Sequence, residues 1–504
     1  MIPDARRNNL LLPVIRSHGV DDVPMPQFVG NLVRHRSSSD VVRHHTLCAI
    51  LPASPMNAAR LRPCRGGGRE TGAAGTAEGS YRAAAPGARG NTAWRRPAKS
   101  SLPFSHRQRS SHTRDTVDMN IPTCYADGYR RARERDPLWA EQYVRHTGIG
   151  DPLADAAIEE LAATVPPDRV HTVISKALES PSAPNTPESL LKFIASVRPP
   201  PDWFEPEIAM VATRAFLRNS DIVMAGLVCG AIIEGFSTLI SKSFRIRGRI
   251  ASLGMRRLKQ NMLHLVEQFM PGGILPDGDG WRLSIRIRLV HAQSRMLLRH
   301  SAEWDFATHG MPLSAAHMLL GAAAFSARLM QHVARLGGGF TEEEREAYVH
   351  VWRYTSVLLG VPEPIRFTDQ ASALRAFATG ATCEPPFDDD SIIMANSIIN
   401  SAPILLGYTT PKARRSQAAI LYGVSRELIG YEKADGLRYP TARGISPLRL
   451  LRWHNRAGRF LSRLPWSRRS TRQFRQLLAV SNLQAHEHSY ALPTALHDEE
   501  SRTW

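Results

Sequence analysis

Residues 282–300 are the stretch of this 504-residue chain with the clearest potential for chemistry. Apolar residues recur there at helical spacing around His291, with Arg288 three residues before it and Arg295 four residues after it. At about 100° per residue, these three side chains fall on one side of a helix. A neutral imidazole can bind a metal, and guanidinium groups pair with carboxylates. Haem offers both partners, an iron and two propionates, so the pattern favours a haem site with His291 as the metal ligand.

A second set of residues could bind metal in a different way. Glu346 and His350 share one predicted helix, and Glu234 and His264 occur in two others. Carboxylates and histidines that point into a helical bundle can hold two irons, but the paired Glu-x-x-His motifs typical of such sites are missing. The chain also lacks a P-loop, a Rossmann glycine fingerprint, a GxSxG elbow and an HExxH motif, which excludes the enzyme classes that depend on them.

The positive charge of the chain is concentrated near its N-terminus. Of the net charge of +18, residues 1–118 carry +10 (18 Lys and Arg against 8 Asp and Glu), so residues 119–504 carry the remaining +8. The first segment is rich in Arg, Gly, Ala, Ser and Pro, which is typical of a disordered extension. A true translation start at Met119 is the other interpretation. Because the excess charge lies in this extension, we do not expect nucleic acid as a partner.

The rest of the chain is predicted to be helical. Apolar residues recur near every 3.6 positions in 153–164, 169–180, 187–197, 205–243, 252–270, 282–300, 313–336, 341–360, 390–407, 413–430 and 447–463. Thr341 and Glu344 have the spacing of a capping box at the start of one of these helices. Strand-like alternation is scarce, so the expected fold class is all-α: a single multi-helix bundle over 119–480, followed by a tail at 481–504.

Cysteine usage and hydropathy predict the compartment. The five cysteines are scattered without a CxxC pair, which favours a reducing compartment. No signal peptide is evident, so the predicted localisation is cytoplasmic. The most apolar run, Ile222 to Ile240, approaches the length of a membrane span but contains Glu234. We therefore expect a buried core helix there.

Residues 443–475 form a basic amphipathic stretch, in which arginines alternate with leucines and with Trp453 and Trp466. Such a stretch can lie on an anionic membrane surface, so peripheral membrane contact is one interpretation. The other is a solvated outer helix that packs on the bundle.

A series of short motifs between 205 and 365 occurs in the order typical of one protein family. The motifs are Arg286-Ile-Arg288-Leu-Val-His291-Ala-Gln-Ser-Arg295, Trp304-Asp305, Gly310-Met-Pro312, Phe325, Gly338, Glu343-Glu344, Tyr348-Val-His350-Val-Trp352-Arg353-Tyr354 and Leu358-Leu-Gly360-Val. Through these motifs the sequence resembles the MpaB-type oxygenases and rubber oxygenases (latex clearing proteins), whose fold is all-α.

The resemblance implies a haem-dependent oxygenase that uses O2 on an apolar, isoprenoid or lipid-like substrate. Rubber oxygenases bind haem b through the histidine of an Arg-Leu-x-His-Ala motif. By this likeness His291 binds the iron, and Arg288 and Arg295 lie close to the haem. Arg257 matches the arginine of an upstream motif and is the candidate catalytic residue on the distal side.

Several positions depart from the rubber oxygenase pattern. Gln260 and Asn261 replace a lysine and a threonine of the upstream motif, and Ser241 stands where an acidic base is expected. Ser314 and His317 replace an asparagine and an aspartate in the loop after Gly-x-Pro. These differences weaken the expectation of polyisoprene cleavage more than the expectation of haem binding. The alternative function is that of a non-catalytic helical protein that has lost the cofactor and binds a membrane surface or a partner.

Overall fold

The computed structural model describes four ranges of the chain, residues 121–180, 186–246, 250–441 and 446–461. Within these ranges the protein is built from helices without a strand, which confirms the predicted all-α fold class. The predictions for residues 1–118 and 481–504 lie outside the described residues, as does about half of the basic stretch 443–475.

The helices are named here in chain order. The first five are α1 (Ala126–Arg135), α2 (Pro137–His146), α3 (Pro152–Thr164), α4 (Pro167–Glu179) and α5 (Glu188–Val197). The next five are α6 (Pro206–Gly226), α7 (Ile232–Gly235), α8 (Thr238–Arg245), α9 (Ile250–Phe269) and α10 (Asp279–Arg299). They are followed by α11 (Phe306–His309), α12 (Ala315–Ala323), α13 (Leu329–Arg335), α14 (Glu342–Leu358) and α15 (Gln370–Cys383). The last four are α16 (Asp389–Leu405), α17 (Pro411–Ile429), α18 (Tyr431–Gly436) and α19 (Pro447–Leu461).

Side chains at the helix N-termini explain several of these boundaries. At the start of α14, Thr341 Oγ1 accepts the backbone N–H of Glu344 at 3.2 Å and Glu344 Oε2 accepts that of Thr341 at 3.0 Å, which confirms the predicted capping box. Asp136 caps α2 and Asp151 caps α3, each followed by a proline whose missing N–H costs nothing in the first turn. The first residues of these helices can therefore be predicted from the sequence.

Two helices that the periodicity predicts as continuous are interrupted. The predicted helix 205–243 contains a π-helical turn at Leu227–Ala231 and a break between α7 and α8. The predicted helix 313–336 contains a π-helical turn at Ala324–Arg328, in which Ser326 has non-helical dihedral angles. Each π turn inserts one residue into the helical register, which redirects the side chains that follow it.

One continuous hydrophobic core joins the helices. α9 packs against α10 and α16, α10 also packs against α3, and α14 packs against α6. Helices α1, α2 and α15, which the periodicity did not predict, pack against one another. α15 also contacts α12, so these three helices form part of the wall behind α12.

The apolar run that includes Ile222–Ile240 lies in the helical stretch Pro206–Gly235, which is long and apolar enough to cross a membrane by composition alone. In the protein, 78% of its most apolar part is buried against other helices. This burial is what we expected of a core helix.

Glu234 is the charged residue of the apolar run Ile222–Ile240, and the fold surrounds it with cations. Its side chain is only 1% exposed. It accepts hydrogen bonds from Arg328 Nε at 2.8 Å, from Lys433 Nζ at 2.9 Å and from His332 Nε2 at 2.7 Å. Burial by itself raises the pKa of Glu234, but the hydrogen bonds and charges of these three partners outweigh it and hold the pKa well below its ordinary value. Glu234 thus ties α7 to the π turn before α13, to α13 and to α18.

We expect Glu234→Gln to lower the free energy of unfolding by about 3 kcal/mol, because Arg328 and Lys433 would keep their charges without a counter-charge. Urea denaturation measures the change. The control is Asp127→Asn, which removes an exposed pair with Arg130 and should cost less than about 1 kcal/mol. Equal stability losses in the two variants would contradict a structural role for the buried cluster.

Candidate active site

A cavity lies between α9, α10, α12 and α14. It encloses about 710 Å³ of empty space, part of which is open to solvent. Its lining residues are Gly235, Phe236, Ile240, Phe244, Arg257, Gln260, Asn261, His264, Ile287, His291, Leu313, His317, Met318, Gly321, Ala322, Phe325, Trp352 and Leu359. None of these lining residues is a carboxylate or a thiol. The cavity combines apolar and aromatic walls with a small number of polar groups, which is typical of a small-molecule site.

The pairing of α9 with α10 brings the two principal predicted residues to the same level of the cavity. His264 Nε2 of α9 lies 2.9 Å from Ser284 Oγ of α10, in a helix pair joined by a short connection and therefore antiparallel. Arg257 lies seven residues before His264, and His291 lies seven residues after Ser284. Seven residues make two helical turns, about 10.5 Å, so Arg257 and His291 lie at about the same level of this helix pair. Both line the cavity.

α9 presents a polar stripe to the cavity through Arg257, Gln260, Asn261 and His264, at positions i, i+3, i+4 and i+7. Arg257 Nη1 donates to Gln260 Oε1 at 3.0 Å, and Asn261 Nδ2 donates to the carbonyl oxygen of Arg257 at 2.8 Å. The guanidinium carbon of Arg257 lies 3.9 Å from the ring centroid of Phe244, within cation–π distance. These contacts hold the Arg257 side chain in a defined place on the cavity wall.

His264 is a lining residue that the sequence did not identify as part of this site. It packs edge-on against Trp352, with 6.1 Å between the ring centroids, and contacts Gln268 as well as Ser284. Burial lowers the pKa of His264 to about 3. The imidazole is therefore neutral at neutral pH, so it adds a hydrogen-bonding group to the cavity but no charge.

His317 belongs to a buried polar network behind the opposite wall. The backbone N–H of Ser314 donates to His317 Nδ1 at 3.2 Å, so Nε2 carries the proton and donates to Tyr125 Oη at 2.9 Å. Glu384 Oε1 lies 3.5 Å from His317 Nε2 and accepts the hydroxyl of Tyr143 at 2.6 Å. Burial by itself raises the pKa of Glu384, but His317 and the hydroxyl donors outweigh it, so the pKa lies below its ordinary value. The ring nitrogens of His317 are thus engaged by the protein, and its ring forms part of the wall.

Arg288 and Arg295 are not among the lining residues of the cavity, and carboxylates of the protein are their partners. Arg288 Nη2 and Nε donate to the two carboxylate oxygens of Asp151 at 2.9 and 2.5 Å. Arg295 Nε donates to Asp155 at 2.8 Å, and its Nη1 donates to the carbonyl oxygen of Leu313 at 3.0 Å. Both guanidinium groups are buried, so they need such partners, and carboxylates of α3 and its N-cap supply them. Their predicted contact with a cofactor stays a prediction.

The two-iron alternative is wrong, because its residues lie in different places. Glu234 is enclosed by cations, and Glu346 accepts the backbone N–H of Gln370 at 3.2 Å. His350 accepts the backbone N–H of Glu205 and stacks on another ring. Among the described residues, no group of three or more His, Cys, Asp or Glu side chains is placed to hold a metal ion.

Residues 214–483 match the sequence model of a family described as "ER-bound oxygenase mpaB/B'/Rubber oxygenase, catalytic domain". This match extends over more than half of the chain and includes every lining residue of the cavity. The chain belongs to this family of oxygenases. Membership confirms the resemblance that the motifs predicted and makes an oxidoreductase the expected class of enzyme.

Two individual proteins extend the comparison. The rubber oxygenase of Streptomyces sp. (strain K30) is 30% identical over 91 residues, which are 18% of this chain and 22% of that protein. The alignment thus spans about a fifth of the relative's length. The structure of latex clearing protein LCP in the closed state superposes with a TM-score of 0.52 and 16% identity, covering 71% of this chain and 93% of that chain. At 16% identity, this likeness shows a similar fold and nothing further.

The neutral state of His264 predicts a loss of stability in acid. The unfolded chain takes up a proton at His264 as the pH falls through 6.5, whereas the folded chain does so only near 3. The stabilisation is complete above 6.5 and is lost between 6.5 and 3, with a slope of at most about 1.4 kcal/mol per pH unit. We expect His264→Gln to show a shallower decline in unfolding free energy between about pH 7 and pH 5.

Urea denaturation at a series of pH values measures this slope. The exposed His300, at the end of α10, provides the control variant His300→Gln. A slope that is identical in the wild type and in both variants would show that His264 does not titrate in this way.

Proposed function

We propose that this protein is a haem-dependent oxygenase in which His291 is the protein ligand of the iron, with O2 as co-substrate. The observation that carries the proposal is the position of His291, on the wall of a mainly apolar cavity and level with the buried Arg257. Membership of an oxygenase family supports the class of reaction. The presence of haem and the role of His291 as its ligand are the parts of the proposal that go beyond what family membership shows.

The lining residues fit haem b in three respects. Among the lining residues, the side chains that bind metals are imidazole groups. A single imidazole ligand is enough for an iron that a macrocycle already holds, whereas a bare metal ion needs several protein ligands. Phe236, Phe244, Phe325 and Trp352 supply aromatic surface for a flat apolar ring. The wall at Gly321 is recessed, because a Cβ built there would meet no atom within 4 Å.

The protein's own residues would bind and orient the substrate and exclude water from it. When bound, haem supplies the site at which O2 binds and is activated. Ile287, Leu313 and Leu359 exclude water and hold an apolar substrate in a dry environment, which favours productive orientation. Arg257 places a positive charge on the wall, where it would stabilise negative charge that develops on oxygen during the reaction.

The composition of the cavity favours a lipid-like or isoprenoid substrate. Apolar and aromatic side chains cover most of the lining, which suits a hydrocarbon chain. The polar side chains of the α9 stripe give one side of the lining a polar surface, which can face a polar group of such a substrate. We therefore propose an alkene-containing apolar substrate that carries a polar group.

The proposal predicts the absorption spectrum of the purified protein. Reconstitution with haemin should give a Soret band in the wild type and in the control His300→Ala, whose histidine is exposed at the end of the same helix. The variant His291→Ala should lose or shift the band, because it lacks the side chain that would bind the iron. A wild type that stays colourless after reconstitution, or a Soret band unchanged in His291→Ala, would contradict the proposal.

We also propose that the protein is cytoplasmic and binds an anionic membrane surface through α19. Leu450, Trp453 and Phe460 are 49%, 73% and 70% exposed and share one face of this helix. Arg452 and Arg456 are exposed beside them. Exposed large apolar residues flanked by arginines are the features of an interfacial helix. Membrane binding was one element of the alternative, non-catalytic function, and the exposed face of α19 favours it. Membrane binding is also compatible with an enzyme whose substrate is lipid-like.

Vesicle flotation tests the membrane proposal. The protein should float with phosphatidylserine–phosphatidylcholine vesicles at low salt and be released at high salt, because the attraction to the headgroups is screened. Trp453→Ala should weaken flotation, whereas Tyr431→Ala, which removes a ring on α18 that is 63% exposed, should not. Absence of flotation, or equal loss in both variants, would contradict the proposal.

A further inference from the structure

Gly321 lies in the interior of α12, where glycine destabilises a helix relative to alanine. Glycine at such a position usually has one of two structural reasons, a positive φ angle or a close neighbour. Gly321 is not among the glycines with positive φ. A Cβ at Gly321 would meet no atom within 4 Å, whereas one at Gly230 would lie 2.5 Å from the ring of His332. Neither backbone geometry nor packing within the protein explains Gly321.

The cavity explains it. The face of α12 and the following π turn that lines the cavity consists of His317, Met318, Gly321, Ala322 and Phe325. These positions, i, i+1, i+4, i+5 and i+8, follow one side of a helix over slightly more than two turns. The first turn carries two large side chains and the last carries a phenyl ring, but the middle turn has nothing larger than a methyl group. The result is a notch in the wall, bounded by Met318 on one side and by Phe325 on the other.

The irregular backbone at one end of the notch holds Phe325 in position. Phe325 lies within the π turn Ala324–Arg328, and its ring contacts that of Trp352 with 5.6 Å between the centroids. Arg328, at the end of the same turn, is held by the buried carboxylate of Glu234. The upper edge of the notch is therefore fixed by aromatic packing and by a buried ion pair, so the space at Gly321 does not close by movement of this turn.

We propose that Gly321 sets the width of the cavity and so determines the size of the apolar ligand that the cavity accepts. The flat or extended part of a bound ligand lies in the notch, and any side chain at position 321 would occupy the same space. The class of ligand, a planar ring system or an alkene chain, rests on the proposed function. The size-determining role rests on the open space at Gly321 and on its position between Met318 and Phe325.

This role predicts opposite effects on stability and on binding. In the ligand-free protein, Gly321→Ala should raise the melting temperature by about 1–3 °C, because alanine favours the helix and its methyl group meets no atom. The same methyl group should weaken ligand binding, since it projects into the ligand's space. A glycine with a purely structural role would not combine a gain in stability with a loss in binding.

The experiment compares three variants with the wild type in the full chain. Gly321→Ala and Gly321→Leu fill the notch to different extents. Gly458→Ala is the matched control, because Gly458 is also a helical glycine with no atom within 4 Å of its Cβ position, but it is exposed on α19 and does not line the cavity. Two probes are titrated into each protein: haemin, followed by its Soret band, and the polyene cis-parinaric acid, followed by its fluorescence.

We expect Gly321→Leu to weaken binding of at least one probe about tenfold or more, with a smaller effect in Gly321→Ala and none in Gly458→Ala. Unchanged binding of both probes in Gly321→Leu and Gly321→Ala would overturn the proposal. The proposed haem function fails separately: if the wild type does not bind haemin but cis-parinaric acid binding depends on residue 321, the haem assignment is wrong and the size-determining role stands. If the wild type and all variants bind haemin equally well, and bind the polyene equally well, the size-determining role is wrong and the haem assignment stands.

Discussion

The orientation of α10 depends on two buried ion pairs, and the rest of the candidate site depends on that orientation. Arg288 and Arg295 lie two turns apart on this helix and pair with Asp151 and Asp155 at the start of α3. A buried guanidinium group without a partner is costly, so a rotation of α10 that separated these pairs would be strongly unfavourable. The helix is thus fixed at two levels, and His291, which lies between them, is presented to the cavity. The arginines act on the site by holding the helix that carries the histidine.

Two helical segments close to the cavity are interrupted by π turns. A straight helix of regular periodicity would direct its large apolar side chains into the core at every turn. The π turns at Leu227–Ala231 and Ala324–Arg328 shift that register, and the buried Glu234–Arg328 contact joins the helix after the first turn to the last residue of the second. Phe325, within the second turn, and Phe236, after the first, both line the cavity. Extra residues in a helix are common at functional sites.

The parts of the fold that depend on local sequence could be predicted, and the parts that depend on distant partners could not. The helical period predicted α10, α12 and α14, and the capping box at Thr341 and Glu344 predicted where α14 begins, because both signals lie within a few residues of the feature. The pairing of Arg288 with a carboxylate 137 residues away has no local signal. From the sequence alone, arginines around a histidine therefore predict carboxylate-type partners without showing whether these belong to a haem or to the protein.

The same limit explains the residues of the site that the sequence did not reveal. His264 occurs in an ordinary helical pattern, and only the pairing of α9 with α10 shows that it faces the cavity. Glu384 follows α15, whose alternation of alanine with polar residues gives a weak apolar period. The interruptions of the predicted helices 205–243 and 313–336 also have no signal in the sequence, since a π turn changes the register by one residue without requiring glycine or proline.

The electrostatics of the cavity follow from which of its polar groups are charged. Burial keeps His264 neutral, so this histidine adds no positive charge to the interior, and the ring nitrogens of His317 are engaged by Ser314 and Tyr125. Two buried carboxylates next to lining residues have partners in the protein: Glu384 is bound by the hydroxyl group of Tyr143 and Glu234 by its cations. Arg257 is consequently the charged side chain among the lining residues. A cavity with one positive charge on a mainly apolar wall favours a ligand that is apolar over most of its surface and electron-rich at one end. It also stabilises negative charge that develops on oxygen close to α9 better than negative charge that develops beside α12.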